Sequence, residues 1–201
     1  MKNLNKTFST ITEHTIPNTL VILDCDETIL KFEGELREIS KWWKETFNNF
    51  FEEFQDFDLA EYKTNELWKK KIRDCDKFSH TDESGLTKMI EEAREVGNVV
   101  IIVTARDDEL AIITKKHLNE IGFVADELKL KSDISAHHEN NGIFHTSGKS
   151  KGKVADEICK ELGFKNIVFV DDMLFNLEDV ENICSKDYKV FVYRADFVEK
   201  N

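Results

Sequence analysis

Four stretches of the chain are apolar without polar alternation: residues 20–23, 99–103, 167–170 and 190–193. Short uniform runs of this kind predict strands buried on both faces, as in a parallel sheet. Each of the first three runs into polar residues: Asp24, Asp26 and Thr28; Thr104; Asp171 and Asp172. Between the runs, apolar positions recur at helical spacing. Leu86, Met89, Ile90, Ala93 and Val96 precede Gly97, Leu110, Ile113, His117, Leu118 and Ile121 precede Gly122, and Val154, Ala155, Ile158 and Leu162 precede Gly163. A glycine after the last periodic residue is a common helix stop. Alternating strands and helices predict an α/β fold with a Rossmann-like three-layer core and a mostly parallel sheet. In such sheets the ligand crevice lies beyond the carboxyl ends of the strands, where these polar residues fall.

Residues 31–81 break the alternation. They hold no convincing strand run, and 35–57 is charged, aromatic and helix-like. Trp43, Phe47, Phe50, Phe51 and Phe54 can share one helix face. The expected organisation is a discontinuous core, 1–30 with 82–201, carrying a small helical cap-like insertion at 31–81. The aromatic stripe reads first as the insertion's own core. A substrate-facing or partner-facing surface is the sharper alternative.

Composition narrows the function. The chain has 201 residues and a formal net charge of −12. That balance disfavours nucleic acid as a partner, because phosphate backbones need cations to neutralise them. Fifteen Phe and three Trp are too many for a disordered chain. Cys25, Cys75, Cys159 and Cys184 form no metal-binding spacing and read as reduced thiols. Neither an apolar signal core nor a membrane-length run is evident, so a cytoplasmic protein with no membrane partner is expected.

Asp24 and Asp26 leave a buried strand two residues apart, so both can face one pocket. Two such carboxylates suit a division between a nucleophile or metal ligand and a proton donor. Asp171 and Asp172 meeting Asp24 across the sheet edge would repel without a cation. An oxygen-only site of this kind suits Mg²⁺. Asp171 can equally cap the following helix. The Thr104 hydroxyl can hold a phosphate oxygen. Lys149, Lys151 and Lys153 form a basic cluster ahead of a helical stripe in an acidic chain. Cys25 is expected to point into packing, and His137 and His138 to lie on an irregular surface stretch.

In this order, LVILDCDET, VVIIVTAR, SKGKVADEI and IVFVDDMLFN resemble the four motifs of the haloacid dehalogenase-like (HAD) superfamily. The run VTARDDE with NGIFHTSGKSKGK is also similar to an uncharacterised bacterial group of HAD-like proteins. The DxDET form, with Glu27, resembles carboxy-terminal-domain protein phosphatases, although the larger insertion departs from them. The resemblance implies a phosphatase in which Asp24 is the nucleophile and Asp26 the general acid and base. Mg²⁺ would be bound by Asp24, the Asp26 backbone carbonyl and Asp172, with Asp171 adjoining. Thr104 and Lys151 would hold the phosphoryl group, with Lys153 in reserve. The neighbouring Thr28, Ala105, Arg106 and Asn176 are the further candidates for substrate contact. A phosphorylated small molecule is the expected substrate. The alternatives are a protein or nucleic-acid 3′-phosphatase, or a non-catalytic binding protein on the same scaffold.

Overall fold

The computed structural model describes residues 1–197. Among these, the strands are β1 (Lys2–Asn3), β2 (Thr19–Leu23), β3 (Leu30–Phe32), β4 (Phe78–His80), β5 (Val99–Thr104), β6 (His137–His138), β7 (Ile143–His145), β8 (Asn166–Asp171) and β9 (Lys189–Arg194). The α-helices are α1 (Ile39–Phe54), α2 (Phe57–Asp74), α3 (Glu83–Glu95), α4 (Ala111–Glu120), α5 (Lys151–Leu162) and α6 (Leu174–Cys184). Seven strands form one sheet in the order β1-β9-β8-β2-β5-β7-β6, parallel except for the β6 edge.

The expected α/β, mostly parallel architecture is present, and the central strand shows why. Along β2, Val21 and Leu23 face one cluster with Leu86, Met89 and Ala93 of α3. Leu20 and Ile22 face the other, with Val154 and Ile158 of α5 and Leu177 and Val180 of α6. Successive strand side chains point to opposite faces, so a strand covered on both sides must be apolar at every position. Each fully buried aliphatic side chain contributes about 1.5–3 kcal/mol through removal from water. Helices thus cover both faces of the sheet, making three layers.

Leu23 pairs with Ile102 on one side and Val170 on the other. The registers therefore bring the ends of β2, β5 and β8 to one level, with Asp24, Thr104 and Asp171 along a single edge.

Two parts of the chain, 31–81 and 137–138, depart from the sequence expectation. The segment 31–81 was expected to hold no strand, yet β3 and β4 pair antiparallel, Leu30 opposite His80 and Phe32 opposite Phe78. Three-residue strands are too short to show a period. Helices α1 and α2 lie between these two strands and pack on each other. The aromatic stripe of α1 is not a buried core. Trp43, Phe47 and Phe51 stack ring on ring at 5.4 and 6.0 Å, but no α1 residue is fully buried. Phe51 stays 39% and Phe57 59% exposed. The N-terminal lead also joins the core: Leu4, Phe8 and Ile11 are buried, and the Phe8 ring stacks on Phe197 at 5.1 Å. His137 and His138, expected in an irregular stretch, instead form the edge strand β6 against β7. Cys25 packs in the core, where burial pushes its thiol pKa up.

Candidate active site

Asp24 sits one residue past β2, its N–H bonded to the Val170 carbonyl at 2.9 Å. The next residues make a tight turn in which Ile29 and Leu30 N–H both reach the Cys25 carbonyl. The turn requires Glu27 at φ 56°, a left-handed conformation uncommon for a side chain this long. Glu27 is buried there, and its carboxylate accepts from the Ile39 N–H and from Ser40 Oγ at 3.3 Å. A carboxylate at a helix start satisfies unpaired N–H groups and complements the dipole. The turn that carries Asp24 and Asp26 therefore also holds the start of α1.

Lys151 opens α5 and is fully enclosed. Its Nζ donates to Asp24 Oδ1 at 2.5 Å and to Asp171 Oδ2 at 2.7 Å. The first turn of α5 fixes it. Ser150 caps the helix, accepting from Lys153 N–H at 3.0 Å, and donates to Asp179 Oδ2 at 2.8 Å. Gly152 N–H reaches the same oxygen at 2.8 Å. A Cβ on Gly152 would stand 2.7 Å from the Asp179 carbonyl oxygen, so only glycine lets α5 approach α6 this closely. Lys153, the reserve lysine, is exposed and lies 3.9 Å from Glu157.

Asp24, Asp171 and Asp172 are buried and each offers an oxygen within 4.8 Å of the others. Both Asp171 oxygens are engaged: Oδ1 accepts from Met173 N–H at 2.8 Å, Oδ2 from Lys151, and Asn176 Nδ2 lies 3.0 Å from each. Asn176, a candidate for substrate contact, braces Asp171. Thr28, another such candidate, is buried and donates from Oγ1 to Asp24 Oδ2 at 3.3 Å. Burial pushes Asp24 up to about 7, reinforced by Asp171 and Asp26 and opposed by Lys151. For Lys151, burial alone would lower the pKa, but the Asp171 and Asp24 carboxylates raise it on balance and keep it cationic. Buried carboxylates need paired charge or hydrogen bonds, and Lys151 supplies both to Asp24 and Asp171.

Thr104 ends β5. Its carbonyl accepts from Thr146 N–H at 2.9 Å and Thr146 Oγ1 at 3.1 Å. The Ala105 and Arg106 carbonyls accept from Gly148 and Ser147 N–H at 2.9 and 3.2 Å. The loop after β7 thus pins the loop after β5 in place.

The family described as "protein of unknown function (DUF2608)" matches residues 1–199. The chain belongs to that family. No curated protein and no solved structure matches it.

Of the residues expected to act together, Asp24, Lys151, Asp171 and Asp172 converge most closely. Asp26 sits differently. Its side chain, 17% exposed, is paired with Arg106, a candidate for substrate contact. The arginine is wholly buried, with its guanidinium on both Asp26 oxygens. Ala105 is exposed on the same loop. No local pattern marks Asp179 as the anchor of α5, Glu27 as the acceptor at the start of α1, or the Arg106–Asp26 pair, which spans 80 positions. Contacts so distant in sequence leave no local pattern. No helix among the described residues is long and apolar enough to cross a membrane.

Proposed function

We propose that this protein is a Mg²⁺-dependent phosphatase of the HAD type, hydrolysing a phosphomonoester through an aspartyl-phosphate on Asp24. One observation carries the reading. At the carboxyl edge of the sheet, a buried carboxylate touches a buried ammonium beside two further acids. The donor set fits the ion: it is all oxygen, it is buried, and its three carboxylates each offer an oxygen within 4.8 Å of the others. Asp24, Asp172 and the Asp26 carbonyl would hold Mg²⁺, while Asp171 is occupied in bracing Lys151. Bound there, the ion would offset charge on the phosphoryl group and on the attacking carboxylate.

The chain's own residues account for the bond changes. An Asp24 oxygen attacks phosphorus, the bond to the leaving oxygen breaks, and Asp26 gives that oxygen its proton. Water then attacks phosphorus, Asp26 takes the water's proton, and the bond to Asp24 breaks to release phosphate. Lys151 and the Thr104 hydroxyl hold phosphoryl oxygens. Phosphoryl transfer depends mainly on such positioning and charge stabilisation.

The test is phosphate release from a panel of small phosphomonoesters. Release should need Mg²⁺, stop with EDTA and fall to background in Asp24→Asn. Full release from that variant, or none from the wild type on any compound, would refute the proposal.

A further inference from the structure

Arg106 is buried and takes no part in the bond changes described above. Arg106 Nε donates to Asp26 Oδ2 at 2.9 Å and Nη2 to Asp26 Oδ1 at 2.6 Å. Both oxygens of the carboxylate are gripped in parallel, a fork-to-fork geometry that fixes the plane as well as the position of the acid. The guanidinium is itself fixed. Nη1 donates to Thr114 Oγ1 at 3.1 Å, and Thr114 Oγ1 donates in turn to the Leu110 carbonyl at 2.8 Å. The Phe32 ring centroid lies 5.9 Å from the guanidinium carbon. The Arg106 backbone N–H reaches Thr104 Oγ1 at 3.3 Å. A single residue thus links the acid at position 26 to the threonine at the end of β5.

We propose that Arg106 is a positioning residue for proton transfer: it holds the Asp26 carboxyl where the leaving oxygen and the attacking water must pass. This rests on the phosphatase reading above. An aspartate side chain has several staggered rotamers open to it, and Asp26 lies on an irregular turn. Misplacement of a catalytic group by about 1 Å can cost 10²-fold in rate. Lysine cannot replace the fork, because an ammonium grips as a point charge.

The measurement compares two substrates that differ in how much the leaving oxygen needs a proton. 4-Nitrophenolate leaves without one; the alcohol of glycerol 2-phosphate does not. In Arg106→Met, turnover of glycerol 2-phosphate should fall by about 10²-fold or more, while first-turnover release of 4-nitrophenolate should stay within about threefold of wild type. Steady-state release from the aryl ester should slow, because water attack still needs Asp26 as base. Arg106→Lys should fall between the two. Thr114→Val, which removes only the hydroxyl behind Arg106, should show the same substrate-dependent pattern more weakly and guards against a variant that fails to fold. Equal losses on both substrates, first turnover included, would overturn the positioning role in favour of a structural one. Unchanged alkyl turnover would also overturn it. A wild type active on the aryl ester but on no alkyl ester of the phosphomonoester panel would remove Asp26 as a proton donor while leaving the Asp24 chemistry intact. A wild type inactive on the whole panel would sink the phosphatase reading itself.

Discussion

At the scale of single residues, the account turns on how charge is balanced out of water. Lys151 forms ion pairs with both Asp24 and Asp171. Lys151→Met should reduce phosphate release by at least about 10²-fold. The same change should lower stability by about 3–5 kcal/mol in urea titrations, because it strands buried carboxylates. Lys153→Met, at the exposed neighbouring lysine, should change stability by less than about 0.5 kcal/mol. If the two variants behave alike, the assignment of Lys151 is wrong. His117 offers a separate test. It lies wholly buried against Phe78 and Phe32, and neither ring nitrogen has a hydrogen-bond partner. Burial, aided by Arg106, lowers its pKa to about 4 from an ordinary 6.5. Between those values the unfolded chain binds the proton and the folded protein does not. Its contribution to stability is therefore complete above about pH 6.5 and is lost as pH falls toward about 4. His117→Leu should flatten the acid limb of the stability curve; an unchanged slope across that window would contradict the argument.

At the scale of elements, the site depends on how α5 meets α6. Gly152→Ala pushes a methyl group toward the Asp179 carbonyl and must displace the turn that carries Lys151. It should cost about 1–3 kcal/mol in chemical denaturation and reduce phosphate release more than that loss of folded protein explains. A variant with normal activity would show that Lys151 does not rely on this close packing. Elements also explain what could be read in advance. Strands β2, β5 and β8 were legible because burial on both faces makes them uniformly apolar. The short strands β3, β4, β6 and β7 were not, since two or three residues carry no period. Helix α6 buries Leu177, Val180 and Cys184 along with Asn176 and packs Ile183 partly against the core, a weak stripe beside a conspicuous acidic pair. The polar residues at the strand ends were legible as a group sharing one sheet edge, but their partners were not. Asp26 pairs with Arg106 and Lys151 with Asp171 only because the sheet brings distant segments together.

At the scale of the whole molecule, the net charge of −12 and the buried acid cluster act in the same direction. A cation that binds the folded chain and not the unfolded one stabilises it by mass action, about 2.7 kcal/mol at a hundredfold excess over Kd. Mg²⁺ should therefore raise the Tm of the wild type beyond the effect of matched ionic strength from NaCl. Asp172→Asn should abolish that extra increment. Equal shifts with both salts, or an undiminished shift in the variant, would mean that Mg²⁺ only screens surface charge. This readout requires no substrate and so separates the metal site from the reaction.

The most direct test of the central claim is to trap the covalent intermediate. The protein is mixed with Mg²⁺ and its best phosphomonoester, quenched in acid during turnover, reduced with borohydride and mapped by peptide mass spectrometry. Borohydride converts an acyl phosphate on aspartate to homoserine. The account predicts homoserine at position 24, absent when substrate is omitted. Turnover with no modification at Asp24, or with the label on another residue, would contradict it.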